Sequence, residues 1–136
     1  MATFPLELVT PERLLFNEEV QLVRAPGING SFGVLAHHAP LLTELGTGMI
    51  KVTLANGQET FIATTGGFMQ VSREKVIILA DAAELSSEID IERAKQALER
   101  ARKMLELPGE LTADEIREMA ERAQNRIRVA QMKPGM

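Results

Sequence analysis

Cysteine, tryptophan and tyrosine are absent from this chain, and five phenylalanines are its only aromatic residues. Without cysteine there is no disulfide framework, no thiolate nucleophile and no sulfur ligand for zinc. Without Trp or Tyr, and with a net charge of -4, the stacking platforms and basic surface of a nucleic-acid binder are missing. No apolar run approaches the roughly 20 residues that cross a bilayer. The N-terminal MATFPLELVTPE also lacks the basic stretch and apolar stretch of a secretory leader. The expectation is a chain without membrane insertion, in a reducing, cytoplasmic compartment.

Catalytic constellations are equally scarce. Gly-x-Ser-x-Gly, Walker A and GxGxxG motifs do not occur, and the carboxylates are spread without a nameable acid/base pair. His37 and His38 are the only histidines. As neighbours in extended backbone they would face opposite ways, with no third residue to complete a metal site, so a turn or interface is their expected role. The sequence assigns no catalytic residue, no metal and no role to Mg²⁺.

What is present is a change of hydrophobic period near Glu84. Before it, Phe4, Leu6 and Leu8, then Val20 and Leu22, then Ile50, Val52 and Leu54 alternate with period two, and Val76–Ala80 is an apolar run. Turn signals separate these runs, and Asn56-Gly57 between Leu54 and Phe61 marks a hairpin. Short strands at this spacing predict an antiparallel sandwich or barrel over residues 1–83, with a core of Val, Ile, Leu and Phe.

After Glu84 the spacing becomes helical. Ile91, Ala94, Leu98, Ala101 and Leu105 form one stripe, and Ile116, Met119, Ala123, Ile127 and Ala130 form another. The first helix is expected over about 88–105, with Ser87 as its cap and Pro108-Gly109 as its stop. The second is expected over about 113–131, behind a Thr112/Glu115 capping box. So short a connection predicts an antiparallel hairpin over residues 84–136. Ala94, Ala97, Ala101, Ala120, Ala123 and Ala130 allow close helix approach. Each buries only a methyl, at about 0.8 kcal/mol per buried carbon. A hairpin that docks and undocks and an ordinary tight helix pair are both consistent with that seam. Residues 1–83 carry 8 acidic and 5 basic side chains, and residues 84–136 carry 11 and 10.

Arginines mark the helical half. Arg93 follows Asp90 by three residues and precedes Arg100 by seven, and Arg122 and Arg126 lie four apart. In antiparallel packing, Arg93 and Arg100 would approach Arg122 and Arg126, grouping planar bidentate donors suited to phosphate oxygens. A solvated face paired with Glu99, Glu118 and Glu121 fits the same spacing.

The order of several segments resembles the epsilon subunit of the bacterial-type rotary ATP synthase over essentially the whole chain. They are Val9-Thr10-Pro11, Gly30-Ser31-Phe32-Gly33-Val34-Leu35, His38-Ala39-Pro40-Leu41-Leu42, Gly66-Gly67-Phe68, Val76-Ile77-Ile78-Leu79-Ala80-Asp81 and Ile89-Asp90-Ile91-Glu92-Arg93-Ala94. The resemblance implies an α+β fold, a flattened β-sandwich of about ten strands followed by a two-helix hairpin. It implies a non-catalytic rotor subunit of a proton- or sodium-translocating synthase, peripheral on the cytoplasmic face of the membrane. The implied partners are the gamma subunit, the c-ring and, when the hairpin extends to restrain ATP hydrolysis, the alpha and beta subunits of the catalytic head. The family pattern for regulatory ATP falls on Glu84, Ile89, Asp90, Arg93, Ala94, Arg100, Arg122 and Arg126. Ser31, Phe32, His37 and His38 fall at the implied c-ring and gamma interface. There the chain departs from the family's Gly-Glu-Leu-Gly-Ile and Pro-Gly-His, with Gly30-Ser31-Phe32-Gly33-Val34 and Ala36-His37-His38 instead. A coupler with an immobile hairpin and a free-standing nucleotide sensor are the rival expectations.

Overall fold

The computed structural model describes residues 2–107 and 109–132. Pro108, expected with Gly109 to end the first helix, lies outside the described residues, as do Met1 and residues 133–136. Seven strands come first: β1 (Phe4–Val9), β2 (Leu14–Gly27), β3 (Gly30–Leu35), β4 (Leu41–Leu54), β5 (Glu59–Val71), β6 (Val76–Ala80) and β7 (Ala83–Leu85). Helices α1 (Ile91–Glu106) and α2 (Ala113–Ala130) follow, after a single 3-10 turn at Ser86–Glu88.

The strands run β1-β6-β5-β4-β2 and close because β1 also pairs with β2. Closure satisfies the backbone groups that an open edge would leave unpaired. All pairings are antiparallel except β1 with β6. The described strands number seven where about ten were expected, because β2, β4 and β5 run 14, 14 and 13 residues without a break. Each serves two sets of neighbours: β5 pairs with β7 through Ile62–Thr64 and with β6 through Gly67–Val71. β7 straddles the boundary expected between residues 83 and 84.

Alternation places Leu6, Leu8, Val20, Val23, Ile50, Val52, Ile62, Met69 and Ile78 inside, all at 0% exposure. The predicted hairpin forms at Asn56-Gly57, where Gly57 adopts φ 88 and its N–H donates to the Leu54 carbonyl at 2.9 Å. Gly67 is needed for a different reason. At φ 125 a Cβ there would run into the Leu79 carbonyl of the neighbouring strand.

Helix α1 starts later than the spacing predicts. Asp90, not Ser87, is its cap, with Oδ1 accepting the Arg93 N–H at 3.1 Å. Ile89 before it is extended at φ -73 and ψ 125, which separates α1 from the 3-10 turn. The Thr112/Glu115 box forms as expected: Thr112 Oγ1 accepts the Glu115 N–H at 3.2 Å, and Glu115 Oε1 accepts the Thr112 N–H at 3.3 Å. The helices pack antiparallel, with Arg93 and Ala97 beside Met119, Arg122 and Arg126, and Met104 beside Ile116. Ala94, Ala101 and Ala123 are buried in their seam. α2 is the middle layer, because Asn125 and Val129, on a second face of the helix, are buried against the sandwich.

Candidate functional site

Charged side chains from three parts of the chain meet where α2 lies on the sandwich. Pairing of β7 with β5 places Glu84 opposite Ala63. Arg122 and Arg126 project from successive turns of α2, and Arg93 from the first turn of α1. With Thr65, Ala82, Ala97, Met119 and Ala123, these four line an open cleft of about 460 Å³, a size common among small-molecule sites. Arg126 grips Glu84 bidentately: Nε donates to Oε1 at 2.7 Å and Nη2 to Oε2 at 3.2 Å. Among the described residues, the one ion-pair partner of Arg122 is Glu118, at 4.0 Å. Arg93 has no ion-pair partner among the described residues. Three guanidinium groups around one committed carboxylate leave a positive cleft whose planar donors suit phosphate oxygens.

The other residues of the sequence pattern take different positions. One Asp90 oxygen is committed to the α1 backbone. Ile89 packs with Met49 against Phe61, Ala63 and Val129, and Ala94 is fully buried in the helix seam. Arg100, expected beside Arg122 and Arg126, instead lines a separate cleft with Lys103, Met104, Leu107, Leu111 and Ile116 at the far end of the hairpin. Antiparallel packing is the cause. Seven residues move the side chain about 10 Å along α1, toward the beginning of α2 and away from its end.

The four interface candidates do not form one cluster. Ser31 is exposed and Phe32 half-buried near the start of β3, a strand that pairs on one side only, with β2. His37 and His38 lie beyond its other end, roughly 20 Å away at the rise of a strand. There they share a shallow crevice with Arg73 and Lys75. His37 sits at φ 67, the left-handed region that glycine adopts without cost. His38 Nδ1 lies 2.7 Å from the Ala39 carbonyl oxygen, so that nitrogen carries the proton.

Period alone did not reveal three further features. Asn125 is buried at the docking face of α2; its polarity places it outside an apolar stripe, and the second packing surface supplies the acceptors for its amide nitrogen. Leu42, Phe68 and Leu79 are 69%, 51% and 55% exposed. Phe68 stands opposite Glu44 and Leu79, so all three apolar side chains share one outer face. Arg13 Nη2 donates to Glu88 Oε1 at 2.8 Å, tying the turn after β1 to the entrance of the hairpin. That hydrogen bond holds the Glu88 carboxyl below its ordinary range, against some desolvation, with help from the Leu85 N–H.

An all-strand base carrying a docked helical hairpin, with an arginine-rich cleft at their joint, defines a two-part α+β chain. Residues 3–86 match the family described as ATP synthase, Delta/Epsilon chain, beta-sandwich domain. The ATP synthase epsilon chain of Syntrophomonas wolfei is 44% identical over 131 residues, 96% of each chain. That of Carboxydothermus hydrogenoformans is 52% identical over 100 residues, 74% of each. A chain in the solved Euglena gracilis mitochondrial ATP synthase, described as OSCP/F1/c-ring, superposes with a TM-score of 0.80 at 28% identity. It covers 92% of this chain and 79% of that one. This chain therefore belongs to the ATP synthase epsilon family, as an accessory subunit of the synthase and not its catalyst. Among the described residues, no helix is long and apolar enough to cross a membrane.

Proposed function

We propose that this subunit couples gamma to the c-ring in the central rotor and restrains ATP hydrolysis through its hairpin, with ATP as the ligand of the arginine cleft. The carrying observation is that the cleft is shared: Glu84 belongs to the sandwich, Arg93 to α1 and Arg122 and Arg126 to α2. A polyanion bound there bridges both helices and the base, and so favours the docked hairpin. At about 100 times its dissociation constant such a ligand stabilises that state by roughly 2.7 kcal/mol. Its loss frees the C-terminal half of α2, where Arg122, Arg126 and Arg128 lie, to reach acidic surfaces on the catalytic alpha and beta subunits. The apolar face of Leu42, Phe68 and Leu79 is the surface offered to gamma. The ends of β3, with Ser31, Phe32, His37 and His38, are offered to the ring. The solved relative described with F1 and a c-ring supports this placement, on the cytoplasmic face of a membrane that the chain does not enter.

Calorimetric titration of the purified chain with ATP tests the ligand. Saturable heat is expected, lost in an Arg93→Ala, Arg122→Ala double variant. No heat from the native chain removes ATP from the function. A coupler with a fixed hairpin is the second reading, favoured by the buried Asn125 anchor. It requires that hydrolysis by the assembled complex be unchanged when residues 84–136 are deleted.

A further inference from the structure

We infer that Asn125 is the positioning residue that sets the seat of α2 on the sandwich and thereby assembles the arginine cleft; the inference rests on the nucleotide reading above. The seam around it is apolar, made of Phe61, Ala63 and Val129 with Met49 and Ile89 packed alongside. Apolar contact is non-directional, so such a seam by itself accepts α2 in several rotations and offsets. Asn125 is 7% exposed and makes the directional contacts there. Its Nδ2 donates to the Gly48 carbonyl at 2.8 Å and lies 3.5 Å from the Thr64 carbonyl. Gly48 and Thr64 face each other across β4 and β5, so one amide reads a single rung of the sheet.

The amide is itself oriented. Arg128 Nη2 donates to Asn125 Oδ1 at 2.8 Å, which turns the NH₂ group toward the two carbonyls. Arg122 precedes Asn125 by three residues and Arg126 follows it by one, so the rung that holds Asn125 also sets where both arginines project. A shift of α2 by one residue moves it about 1.5 Å and turns it about 100°. That displacement would break the fork between Arg126 and Glu84. Asn125 does not line the arginine cleft, and its effect runs through Arg122 and Arg126.

The test uses the full chain, which has no cysteine of its own, with spin labels at Asn17→Cys and Gln96→Cys, both exposed positions. Asn125→Asp keeps the volume and replaces the donor amide with an acceptor. The labelled distance is expected to lengthen and broaden in at least half of the molecules, with ATP affinity about tenfold weaker and the melting of the strands unchanged. Arg128→Ala, which leaves the donor but frees its orientation, should give a smaller shift in the same direction. A native distance in the Asp variant overturns the inference, and so does a lengthened distance with native ATP affinity. If the native chain binds no ATP, the nucleotide reading fails and the distance alone decides whether Asn125 seats the helix.

Discussion

The sandwich and the hairpin bury their apolar residues to different depths and for different ends. In the strands, Leu6, Leu8, Ile50, Ile62, Met69 and Ile78 are fully buried, each stabilising by about 1.5–3 kcal/mol. Ring closure ties those side chains to one another through the ladder. Between the helices the buried residues include Ala94, Ala101 and Ala123, worth about 0.8 kcal/mol per methyl. The hairpin meets the base chiefly through α2, by way of Val129, Asn125 and the fork from Arg126 to Glu84. Stability therefore resides in the strands, while the pose of the helices rests on a few directional contacts. Contacts of that kind are ones a ligand can add to.

The largest effect should come from the base. Ile62→Ala is expected to cost about 2–5 kcal/mol and to lower the calorimetric Tm of the whole chain; an unchanged Tm would mean that the strands do not carry the stability. Ala94→Leu forces extra carbons into the helix seam at about 1–3 kcal/mol. Hydrogen exchange should then quicken in α1 and α2 while strand amides stay protected. Equal loss in both regions would show one cooperative unit and dissolve the contrast.

The smallest effect concerns the joint between the two. Glu88 titrates below its ordinary value because Arg13 hydrogen-bonds it. Its contribution is thus fully present above the unfolded carboxyl pKa and fades as pH falls through the lower folded value. Acidification should lower the protection factor, the intrinsic exchange rate over the observed rate at each pH, of the Ile89 N–H, which donates to the Ser86 carbonyl at 3.4 Å. Glu88→Gln should abolish that pH dependence. Persistence of the dependence in the variant would assign it to another group.

Much of this architecture was legible in the residues. Period two marked β1, β2 and β4, an unbroken apolar run marked β6, Asn56-Gly57 marked its hairpin, and Thr112 with Glu115 marked the start of α2. The start of α1 was misplaced because Ser87 and Asp90 are both good caps, and only the extended backbone at Ile89 selects the second. Spacing grouped Arg93, Arg122 and Arg126, and these three line one cleft. It failed for Arg100, since periodicity sets a helix face but not the depth at which an antiparallel partner meets it. Asn125 was passed over because the stripe of α2 was read for one packing surface, and the helix has two.

Local composition thus determined the element types, the absence of thiol chemistry and the candidate arginines, because propensity, capping and alternation act over a few neighbouring residues. Tertiary structure alone decided that the strands close into a ring, that α2 and not α1 lies on the base, and that Glu84 meets Arg126 across 42 positions of chain. Those outcomes depend on which surfaces exclude water from one another, a property of the assembled faces that no short window of sequence contains.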